Sequence, residues 1–411
     1  MRKLKWLYPG MFVKRWIFLT TIGIVFIAMG FAMVISEKTP ESKTFAATII
    51  ILGGLIVITG VSRIIKSFVV VFLPQSGDEL VEKVYQRRIL EKGPKIVAIG
   101  GGTGLSTLLH GLKEYTSNIT AVVTVADDGG SSGRLREEFN VLPPGDIRNC
   151  LVGLADAGPL MEKLFQFRFS AGKSLEGHNF GNLFITAMSK VTGDFEAAIE
   201  ASSKVLAIRG SVVPATLTKV VLKAFHKDGT ETIGESNIPK NSSPIERIAV
   251  SPDECRPTKA ALEAIKKAYA IILGPGSLYT SVMPNLIISG MYEAIKESKA
   301  TKIYICNVMT QAGETDDYTA SDHAKAIIRH TGKGIIDYCL INTGRIPPSL
   351  FEKYKGKGAY PVAADKDAIE KLGCKVVEAN VINTKNLVRH NSDKLAKIIV
   401  DLIGSVKKHG A

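Results

Sequence analysis

The chain has 411 residues, of which 45% are hydrophobic and 22% charged, and its formal net charge is +13. These values exclude an intrinsically disordered chain. The positive charge first suggests nucleic acid, but residues 1–94 hold 13 Lys and Arg against 6 Asp and Glu, whereas the remaining 317 residues hold 39 against 33. No long basic block or series of stacking aromatic residues follows residue 94, so we predict no nucleic-acid partner.

Two long apolar segments lie near the start of the chain. Residues 16–36 and 44–62 are 21 and 19 consecutive residues without a charge, and a helix of about 20 residues spans the hydrocarbon core of a bilayer. A signal peptide has a shorter apolar core and a small-residue cleavage site, and the second segment has neither. The sequence therefore predicts two transmembrane helices within a membrane anchor, residues 1–73.

The charges beside these segments predict the orientation of the hairpin. Basic residues precede the first segment and follow the second, while the loop between them is balanced in charge. By the positive-inside rule, the N-terminus and the C-terminal domain face the cytoplasm, and the basic flank binds anionic lipid headgroups. Residues 74–94 form a linker, with residues 77–92 either a juxtamembrane helix or a solvated spacer. The flanking basic residues are Arg2, Lys3, Lys5, Lys14, Arg15, Arg63 and Lys66.

The cysteines indicate a reducing compartment. There are five, they are far apart, and none forms a CxxC pair: Cys150, Cys255, Cys306, Cys339 and Cys374. We therefore expect free thiols that pack as small hydrophobic side chains.

From Lys95 onward, short apolar runs alternate with helical segments. The runs cover residues 95–100, 119–126, 268–274, 302–307 and 335–342. Strands that are buried on both faces have this pattern, so we predict an α/β fold with a mainly parallel sheet and helices on both faces. Residues 217–236 alternate around Asp228–Gly229, which predicts a small antiparallel hairpin beside the sheet.

The segment GGGTGLS (100–106) follows the first predicted strand, where ligands bind in an open α/β sheet. Its glycines let a ligand approach the backbone, and the N–H groups at the start of a helix favour a phosphate. The segment is not a P-loop, because no Lys-Ser/Thr pair follows, and Leu105 breaks the GxGxxG pattern. A purely structural glycine turn is the alternative.

The segment ADDGGSSGRLR (126–136) follows the second predicted strand. Asp127 lies 23 residues after Gly104, about where a dinucleotide fold places its ribose-binding acid. Because adjacent residues at a strand end point in different directions, Asp127 and Asp128 are not expected to chelate one ion together. Asp128 instead faces a cation or binds a neighbouring backbone. Ser131, Ser132 and the glycines supply donors for an anion.

Five further loops carry polar residues, and together they predict a nucleotide-like ligand with several negative charges. Any one of them is also compatible with ordinary turn chemistry. No HExxH motif or Cys/His cluster accompanies them, so zinc hydrolysis is poorly supported. The residues are Asp146, Arg148 and Asn149 in PPGDIRN, His178, Asn179 and Asn182 in GHNFGNL, Ser277 in GPGSLYTS, Asn307, Thr310, Gln311 and Glu314 in NVMTQAGETD, and Arg389 and His390 in VRHNSDKL.

Seven motifs resemble, in this order, those of the YvcK family, also called gluconeogenesis factor: IGGGTGLS, TVADDGGSSGRLR, PPGDIRN, GHNFGNL, ILGPGSLYTSVMPNL, NVMTQAGETD and VRHNSDK. That family belongs to the group containing CofD, the 2-phospho-L-lactate transferase of deazaflavin coenzyme synthesis. The resemblance covers residues 95–405 and implies a Rossmann-like domain that binds a UDP-sugar such as UDP-N-acetylglucosamine. It also implies a role in cell shape and envelope-precursor balance. Residues 1–94 lie outside the usual soluble family pattern and resemble an added membrane anchor.

The resemblance also implies which residues surround the ligand. Asp127, Asp128 and His178 are the candidates for catalysis if the chain is an enzyme. In the transferases a divalent cation such as Mg²⁺, held through Asp127 or Asp128 here, would neutralise phosphate charge. The implied ligand-binding residues are Gly102, Thr103, Gly104, Asp127, Asp128, Ser131, Ser132, His178, Asn179, Asn182, Gly274, Gly276, Ser277 and Arg389.

Three functions remain after these observations. We favour a membrane-tethered regulator that binds a UDP-sugar without needing a cofactor. The alternative is a CofD-like, Mg²⁺-dependent transferase that moves a phospholactate-type group to a deazaflavin. The segments GGSSGRLR and PPGDIRN depart from the transferase pattern and weaken this alternative. An NAD-dependent oxidoreductase is disfavoured by the broken GxGxxG pattern. A homo-oligomer is compatible with the sequence.

Overall fold

The computed structural model describes residues 13–36, 39–72, 88–385 and 387–409. The chain forms two compact units, Met1–Arg88 and Ile89–Ala411. The predicted basic flank at positions 2–5 lies outside the described residues, as does most of the predicted linker. Its last residues belong to the second unit, because the Leu90 carbonyl accepts a hydrogen bond from the Ser117 N–H at 3.0 Å.

The first unit contains two apolar helices, α1 (Val13–Ser36) and α2 (Pro40–Phe72). Both contain a stretch that is long and apolar enough to cross a bilayer, judged by length and composition. The two predicted segments lie inside these helices, but α2 continues well beyond residue 62. Arg63 and Lys66 are good helix formers, so no residue there ends the helix.

The two helices pack through glycines that are spaced seven residues apart, Gly23 and Gly30 in α1 and Gly53 and Gly60 in α2. A Cβ atom added to Gly53 would lie 2.8 Å from the Gly23 carbonyl oxygen, so only a hydrogen atom fits there. Large apolar side chains point away from this seam. More than half exposed are Phe18, Phe31, Ile35, Phe45, Ile51 and Ile58. The helix pair therefore buries its smallest residues and exposes its largest apolar ones.

The second unit is built on a seven-stranded sheet. The strands of the described residues are β1 (Ile96–Gly100), β2 (Ile119–Val123), β3 (Ser211–Pro214), β4 (Val221–His226), β5 (Glu231–Ile233), β6 (Ile245–Ser251), β7 (Ala270–Leu273), β8 (Thr301–Ile305), β9 (Tyr338–Asn342), β10 (Lys375–Ala379), β11 (Ile382–Asn383) and β12 (Arg389–His390). The large sheet has the order β10-β9-β8-β7-β1-β2-β3, and each neighbouring pair is parallel. Consecutive residues of β1 and β7 are buried although they point to opposite faces, so helices cover both faces.

The helices of this unit lie in the connections between the strands of the large sheet, except the last, which follows the final strand. They are α3 (Gly102–Leu112), α4 (Gly130–Phe139), α5 (Gly145–Leu154), α6 (Pro159–Gln166), α7 (Phe180–Thr192), α8 (Phe195–Leu206), α9 (Lys259–Lys267), α10 (Met283–Leu286), α11 (Met291–Glu297), α12 (Ala320–Thr331), α13 (Pro348–Lys355), α14 (Lys366–Lys371) and α15 (Ser392–His409). In α3, Leu105, Leu108, Leu109 and Leu112 are buried. Their three- and four-residue spacing places them on one face, which packs into the core.

A separate antiparallel sheet has the order β5-β4-β6. The turn of the predicted hairpin is present, since the Asp228 Oδ1 atom accepts hydrogen bonds from the Thr230 N–H at 3.0 Å and hydroxyl at 2.6 Å. After β5 the chain enters a short 3₁₀ helix, Glu235–Lys240. The predicted fold class, a Rossmann-like α/β fold with an antiparallel excursion and two N-terminal apolar helices, is confirmed.

Some details differ from the sequence predictions. The second strand ends at Val123, three residues before its predicted end, and the buried residues 124–126 continue the chain toward the site. Strands β3 and β10 were not predicted. Both lie at the edges of the sheet and contain exposed residues, so neither is a continuous buried apolar run. The prediction for the cysteines is confirmed, because all five are free and buried.

Candidate functional site

A cavity of about 610 Å³ lies beside the carboxyl ends of the central strands of the sheet. The loops after β1, β2, β7 and β8 contribute to it, as do β12 and the segment around α13. The lining residues are Gly101, Gly102, Thr103, Gly104, Thr107, Asp127, Asp146, Glu235, Pro275, Gly276, Ser277, Thr280, Ser281, Asn307, Val308, Met309, Thr310, Gln311, Tyr354, Lys357, Ala359, Val388, Arg389 and His390. Seven of the predicted ligand-binding residues are therefore together here: Gly102, Thr103, Gly104, Asp127, Gly276, Ser277 and Arg389.

The glycine loop after β1 packs closely against two other loops, those after β2 and β7. Gly102 has a φ of +64°, in the left-handed region that glycine adopts without strain. A Cβ atom on Gly101 would lie 2.7 Å from Thr124 Cγ2, and one on Gly104 would lie 2.6 Å from the Pro275 carbonyl oxygen. The glycines thus allow the loops after β2 and β7 to approach the start of α3.

Replacing Gly104 by alanine should therefore separate the glycine loop from the loop after β7. Both nearest atoms belong to the backbone, which does not yield as a flexible side chain would, so we expect a loss of about 1–3 kcal/mol in the free energy of unfolding. Thermal unfolding of the full-length chain in detergent measures it. Gly404→Ala is the matched control, since Gly404 also lies within a helix, α15, and a Cβ atom there meets nothing within 4 Å. Equal stability of the two variants would contradict the tight approach.

Asp127 and Asp128 point to different places. Asp127 lines the cavity, and its Oδ1 atom accepts a hydrogen bond from the Gly129 N–H at 2.9 Å. Asp128 turns away and accepts hydrogen bonds from the backbone N–H groups of Glu235 at 3.0 Å and Ser236 at 2.9 Å. Two alternatives were predicted for Asp128, a cation or a neighbouring backbone, and these contacts agree with the second.

Two further carboxyl groups join Asp127 at the cavity. Asp146, at the start of α5, accepts a hydrogen bond from the Gly102 N–H; burial, and next the charge of Asp127, raise its pKa to about 7. Glu235 comes from the 3₁₀ helix of the antiparallel excursion, and burial followed by the charge of Asp127 raises its pKa to about 8. Burial also raises the pKa of Asp127. The three groups therefore do not all ionise together near neutral pH.

Glu235 was not among the predicted site residues. It follows a hairpin turn far along the chain, and no spacing rule connects it to the glycine loop. The Asp128 contacts bring it into the site, with Gly234 at a φ of +95° beneath the Asp128 carboxylate. Tyr354 and Lys357 were missed for the same reason, since their segment carries no recognisable motif.

The predicted residues Ser131, Ser132, His178, Asn179 and Asn182 do not line the cavity. They form a buried cluster in which Ser131 Oγ lies 3.2 Å from His178 Nδ1, and Asn182 Nδ2 donates to Ser132 Oγ at 3.4 Å. Ser132 in turn hydrogen-bonds Asp127. The cluster therefore lies on the side of Asp127 that faces away from the cavity. The hydrogen bond from Ser132 holds the Asp127 carboxylate in place. Burial lowers the pKa of His178, which favours the neutral imidazole.

The positive groups at the cavity are Lys357 and Arg389, both exposed. Arg389 lies on β12, which pairs with β11 so that Arg389 stands opposite Asn383. The Tyr354 hydroxyl fastens this strand to α13: it donates to the Val388 carbonyl at 3.3 Å and accepts from the Val388 N–H at 3.1 Å. The strand that carries the Arg389 guanidinium is thus held in place by its hydrogen bonds to Tyr354.

His390 was noted in the sequence analysis but not chosen as a ligand residue. It lines the cavity, and its Nε2 atom is buried without a hydrogen-bond partner among the described residues. Burial lowers its pKa to about 4, so the ring is neutral at physiological pH. Gly274, a predicted ligand-binding residue, is not part of the cavity lining. Its N–H donates to the Ile99 carbonyl at 2.9 Å.

The fold and the site define a Rossmann-like protein of the CofD group. The family described as 2-phospho-L-lactate transferase CofD matches residues 96–382. Within that group, the chain belongs to the gluconeogenesis factor (YvcK) family. A Bacillus subtilis relative named gluconeogenesis factor is 49% identical over 75% of this chain and 98% of its own length. The predicted resemblance is confirmed.

Two other similarities extend this comparison. The crystal structure of a Bacillus halodurans protein at 2.60 Å resolution is 49% identical and covers 75% of this chain and 99% of its own, with a TM-score of 0.73. A relative from Clostridium acetobutylicum is 47% identical over 98% of this chain and 92% of its own length. Since 98% of the chain includes both N-terminal helices, that relative has a counterpart of the first unit.

Proposed function

We propose that this chain is a membrane-tethered protein that binds a nucleotide sugar of the UDP-N-acetylglucosamine type, and that the bound ligand regulates cell shape and envelope-precursor metabolism. The observation that carries the proposal is the composition of the cavity. It combines cationic, hydroxyl-bearing, carboxylate and apolar walls within about 610 Å³, and small-molecule sites typically occupy about 300–1,000 Å³.

The cavity has side chains suited to each part of a nucleotide sugar, namely the diphosphate, the base and the sugar hydroxyl groups. Lys357 and Arg389 suit a diphosphate, and the planar guanidinium pairs with phosphate oxygens through two N–H groups at once. Val308, Met309 and Val388 belong to a small apolar cluster beside Tyr354 and offer a surface for a base. The carboxyl groups at the cavity accept hydrogen bonds from sugar hydroxyl groups.

The contacts of Asp128 favour binding over transfer. Each of its two carboxylate oxygens accepts a hydrogen bond from a backbone N–H group, so Asp128 holds the start of the 3₁₀ helix in place. Among the described residues, no group of three His, Cys, Asp or Glu side chains is placed to hold a metal ion. A Mg²⁺ ion held through Asp128 would require these two hydrogen bonds to break. These contacts therefore support binding over a transfer reaction that uses Asp128 as a metal ligand.

The transferase function is kept as a second candidate because the CofD family matches residues 96–382. Asp127, Asp146 and Glu235 would supply the negative groups of such a site. In this candidate the donor is a nucleotide-activated phospholactate and the acceptor is a deazaflavin.

Calorimetry separates the two candidates. The full-length chain in detergent is titrated with UDP-N-acetylglucosamine, once with Mg²⁺ and once with a chelator, and the ligand is recovered for mass analysis. We expect binding of similar strength in both conditions and an unchanged ligand. Absence of binding would remove the proposed ligand. Mg²⁺-dependent consumption of a guanylyl-phospholactate donor with a deazaflavin acceptor would instead establish the transferase.

The glycine seam of α1 and α2 supports the membrane tether. In water, a helix pair buries its large apolar side chains between the helices, but this pair buries Gly23 and Gly53 and exposes residues such as Phe18 and Ile51. In lipid that arrangement is favourable, because close backbone packing drives association and the tails solvate the large side chains. Arg63 also lies over the Trp16 ring at 5.3 Å, a pair suited to the membrane interface.

We expect the full-length chain to stay in the membrane pellet after an alkaline carbonate wash and to be released only by detergent. A chain lacking residues 1–72 should be recovered in the soluble fraction. Intact-mass analysis of the membrane form should include residues 13–36, which a cleaved signal sequence would lack. Release of the full-length chain by carbonate would contradict the tether.

A further inference from the structure

The loop after β7 places two hydroxyl groups at the cavity, those of Ser277 and Thr280. Behind them lies Glu314, from the segment after β8, with only 6% of its surface exposed. Glu314 is not part of the cavity lining, so it does not meet the ligand directly. Any effect of Glu314 on the ligand is therefore transmitted through the hydroxyl groups of Ser277 and Thr280.

The three side chains form one closed set of hydrogen bonds. The Ser277 hydroxyl donates to Glu314 Oε2. The Thr280 hydroxyl lies 2.6 Å from Ser277 Oγ and 3.4 Å from Glu314 Oε1, so it donates to one or the other. The Thr280 N–H also donates to Ser277 Oγ at 3.3 Å, and the Tyr279 backbone N–H donates to the Glu314 carboxylate.

The protonation state of Glu314 decides whether this set offers the ligand a hydrogen-bond donor or only acceptors. When Glu314 is ionised, the Ser277 and Thr280 hydroxyl hydrogens are both used inside the set, and the cavity receives only oxygen lone pairs. An anionic oxygen of the ligand is then repelled. When Glu314 carries a proton, it can donate to Ser277 Oγ, which releases the Ser277 hydrogen toward the cavity.

We propose that Glu314 is a positioning residue that takes up one proton and thereby turns the Ser277 hydroxyl into a hydrogen-bond donor for an anionic oxygen of the ligand. The inference rests on the proposed function, since the anionic oxygen is that of the nucleotide diphosphate. The proton passes from solvent to the Glu314 carboxylate, and no covalent bond to the ligand forms or breaks. Ligand binding is therefore coupled to proton uptake.

The surroundings of Glu314 favour this proton. Burial raises its pKa and outweighs the hydrogen bonds from Ser277, Thr280 and the Tyr279 N–H, which lower it. The negative charge of Asp316 acts in the same direction as burial. Glu235 interacts with it from the 3₁₀ helix, and Tyr279 from the loop after β7. Neither neighbour is positively charged. An anionic ligand adds a further negative charge and raises the affinity of Glu314 for a proton still more.

The test is calorimetry of the full-length chain in detergent with UDP-N-acetylglucosamine, from about pH 6 to about pH 9, in buffers of different ionisation enthalpy. The diphosphate of this ligand is a diester and stays fully ionised throughout. The uracil N3–H group begins to ionise only at the basic end of this range, so proton uptake below that end belongs to the protein. For the natural chain we expect uptake, with the affinity falling up to tenfold per pH unit for each proton taken up.

Glu314→Gln should reduce the uptake by up to one proton. The Gln side-chain amide donates to Ser277 at any pH, so its affinity at the basic end should exceed that of the natural chain, by up to tenfold. A variant that had merely lost its structure would bind more weakly instead. Asp316→Asn is the matched control: it removes a neighbouring charge but leaves the set intact, and should keep the proton uptake.

Ser277→Ala provides a second variant, which removes the hydroxyl and leaves Glu314 in place. We expect it to lose affinity at the acidic end, where Ser277 is the donor, and to approach the natural chain at the basic end. Proton uptake in Glu314→Gln equal to that of the natural chain would overturn the inference while the proposed ligand stands. No binding by the natural chain at any pH would overturn the proposed function and the inference together.

Discussion

Replacing Arg389 by glutamate should weaken UDP-sugar binding by at least about 100-fold, which corresponds to about 2.7 kcal/mol. The change removes charge-assisted hydrogen bonds to phosphate, each contributing about 1.5–3 kcal/mol, and puts a negative charge beside the diphosphate. Because Arg389 is exposed at the cavity, the free energy of unfolding should change by only about 0.5 kcal/mol. Calorimetry and thermal unfolding of the same samples measure both quantities.

Lys385→Glu is the matched control for this variant. Lys385 lies in the connection between β11 and β12, is exposed, and is not part of the cavity lining, yet the substitution changes the net charge by the same amount. It should bind the ligand like the natural chain. A large loss of stability in Arg389→Glu would show that the arginine is structural. Equal weakening in both variants would show that only the overall charge matters.

Replacing Asp146 by asparagine should change how stability depends on pH. The pKa of Asp146 is about 7 in the folded protein against 3.8 as its ordinary value. Between these two values the folded state holds a proton that the unfolded state has released, so stability falls as pH rises through this window. From pH 5 to pH 7 the loss is at most about 3 kcal/mol, since one pKa unit corresponds to about 1.36 kcal/mol.

Asparagine cannot ionise, but its oxygen still accepts the hydrogen bond from the Gly102 N–H. The melting temperature of Asp146→Asn at pH 8 should therefore exceed that of the natural chain by up to roughly 5–10 °C, with a smaller difference at pH 5. Glu235 adds to the same trend and remains in the variant, so the slope becomes shallower without vanishing. Asp253→Asn, at an exposed carboxyl, is the control. Parallel stability profiles for the natural chain and Asp146→Asn would contradict the prediction.

Much of the fold could be predicted because its signals are local. Central strands such as β1 and β7 are continuous apolar runs followed by glycine, and the leucines of α3 repeat at helical spacing. Loops that end parallel strands must meet at one edge of the sheet, so Gly104, Asp127 and Ser277 could be grouped before their contacts were known. The predicted apolar helices likewise follow from length and composition alone.

The rest depends on contacts between distant parts of the chain. The sequence places Ser131 and His178 in loops that suit a ligand, but their hydrogen bond draws both into the layer behind Asp127. Glu235 and Lys357 enter the cavity from segments without a motif. The pKa shifts of Asp146 and Glu235 arise from burial, which no spacing of residues reveals.

The bonds from Asp128 to the 3₁₀ helix also bear on how this protein can be divided or altered. The antiparallel excursion lies outside the large sheet, yet it contributes Glu235 to the cavity. The hydrogen bond from the Glu235 N–H to the Asp128 carboxylate holds it there. A shortened version without residues 217–251 would lose one wall and leave the Asp128 carboxylate without partners. A substitution at Asp128 therefore also affects the position of the excursion, and the smallest unit that keeps the whole cavity includes the excursion.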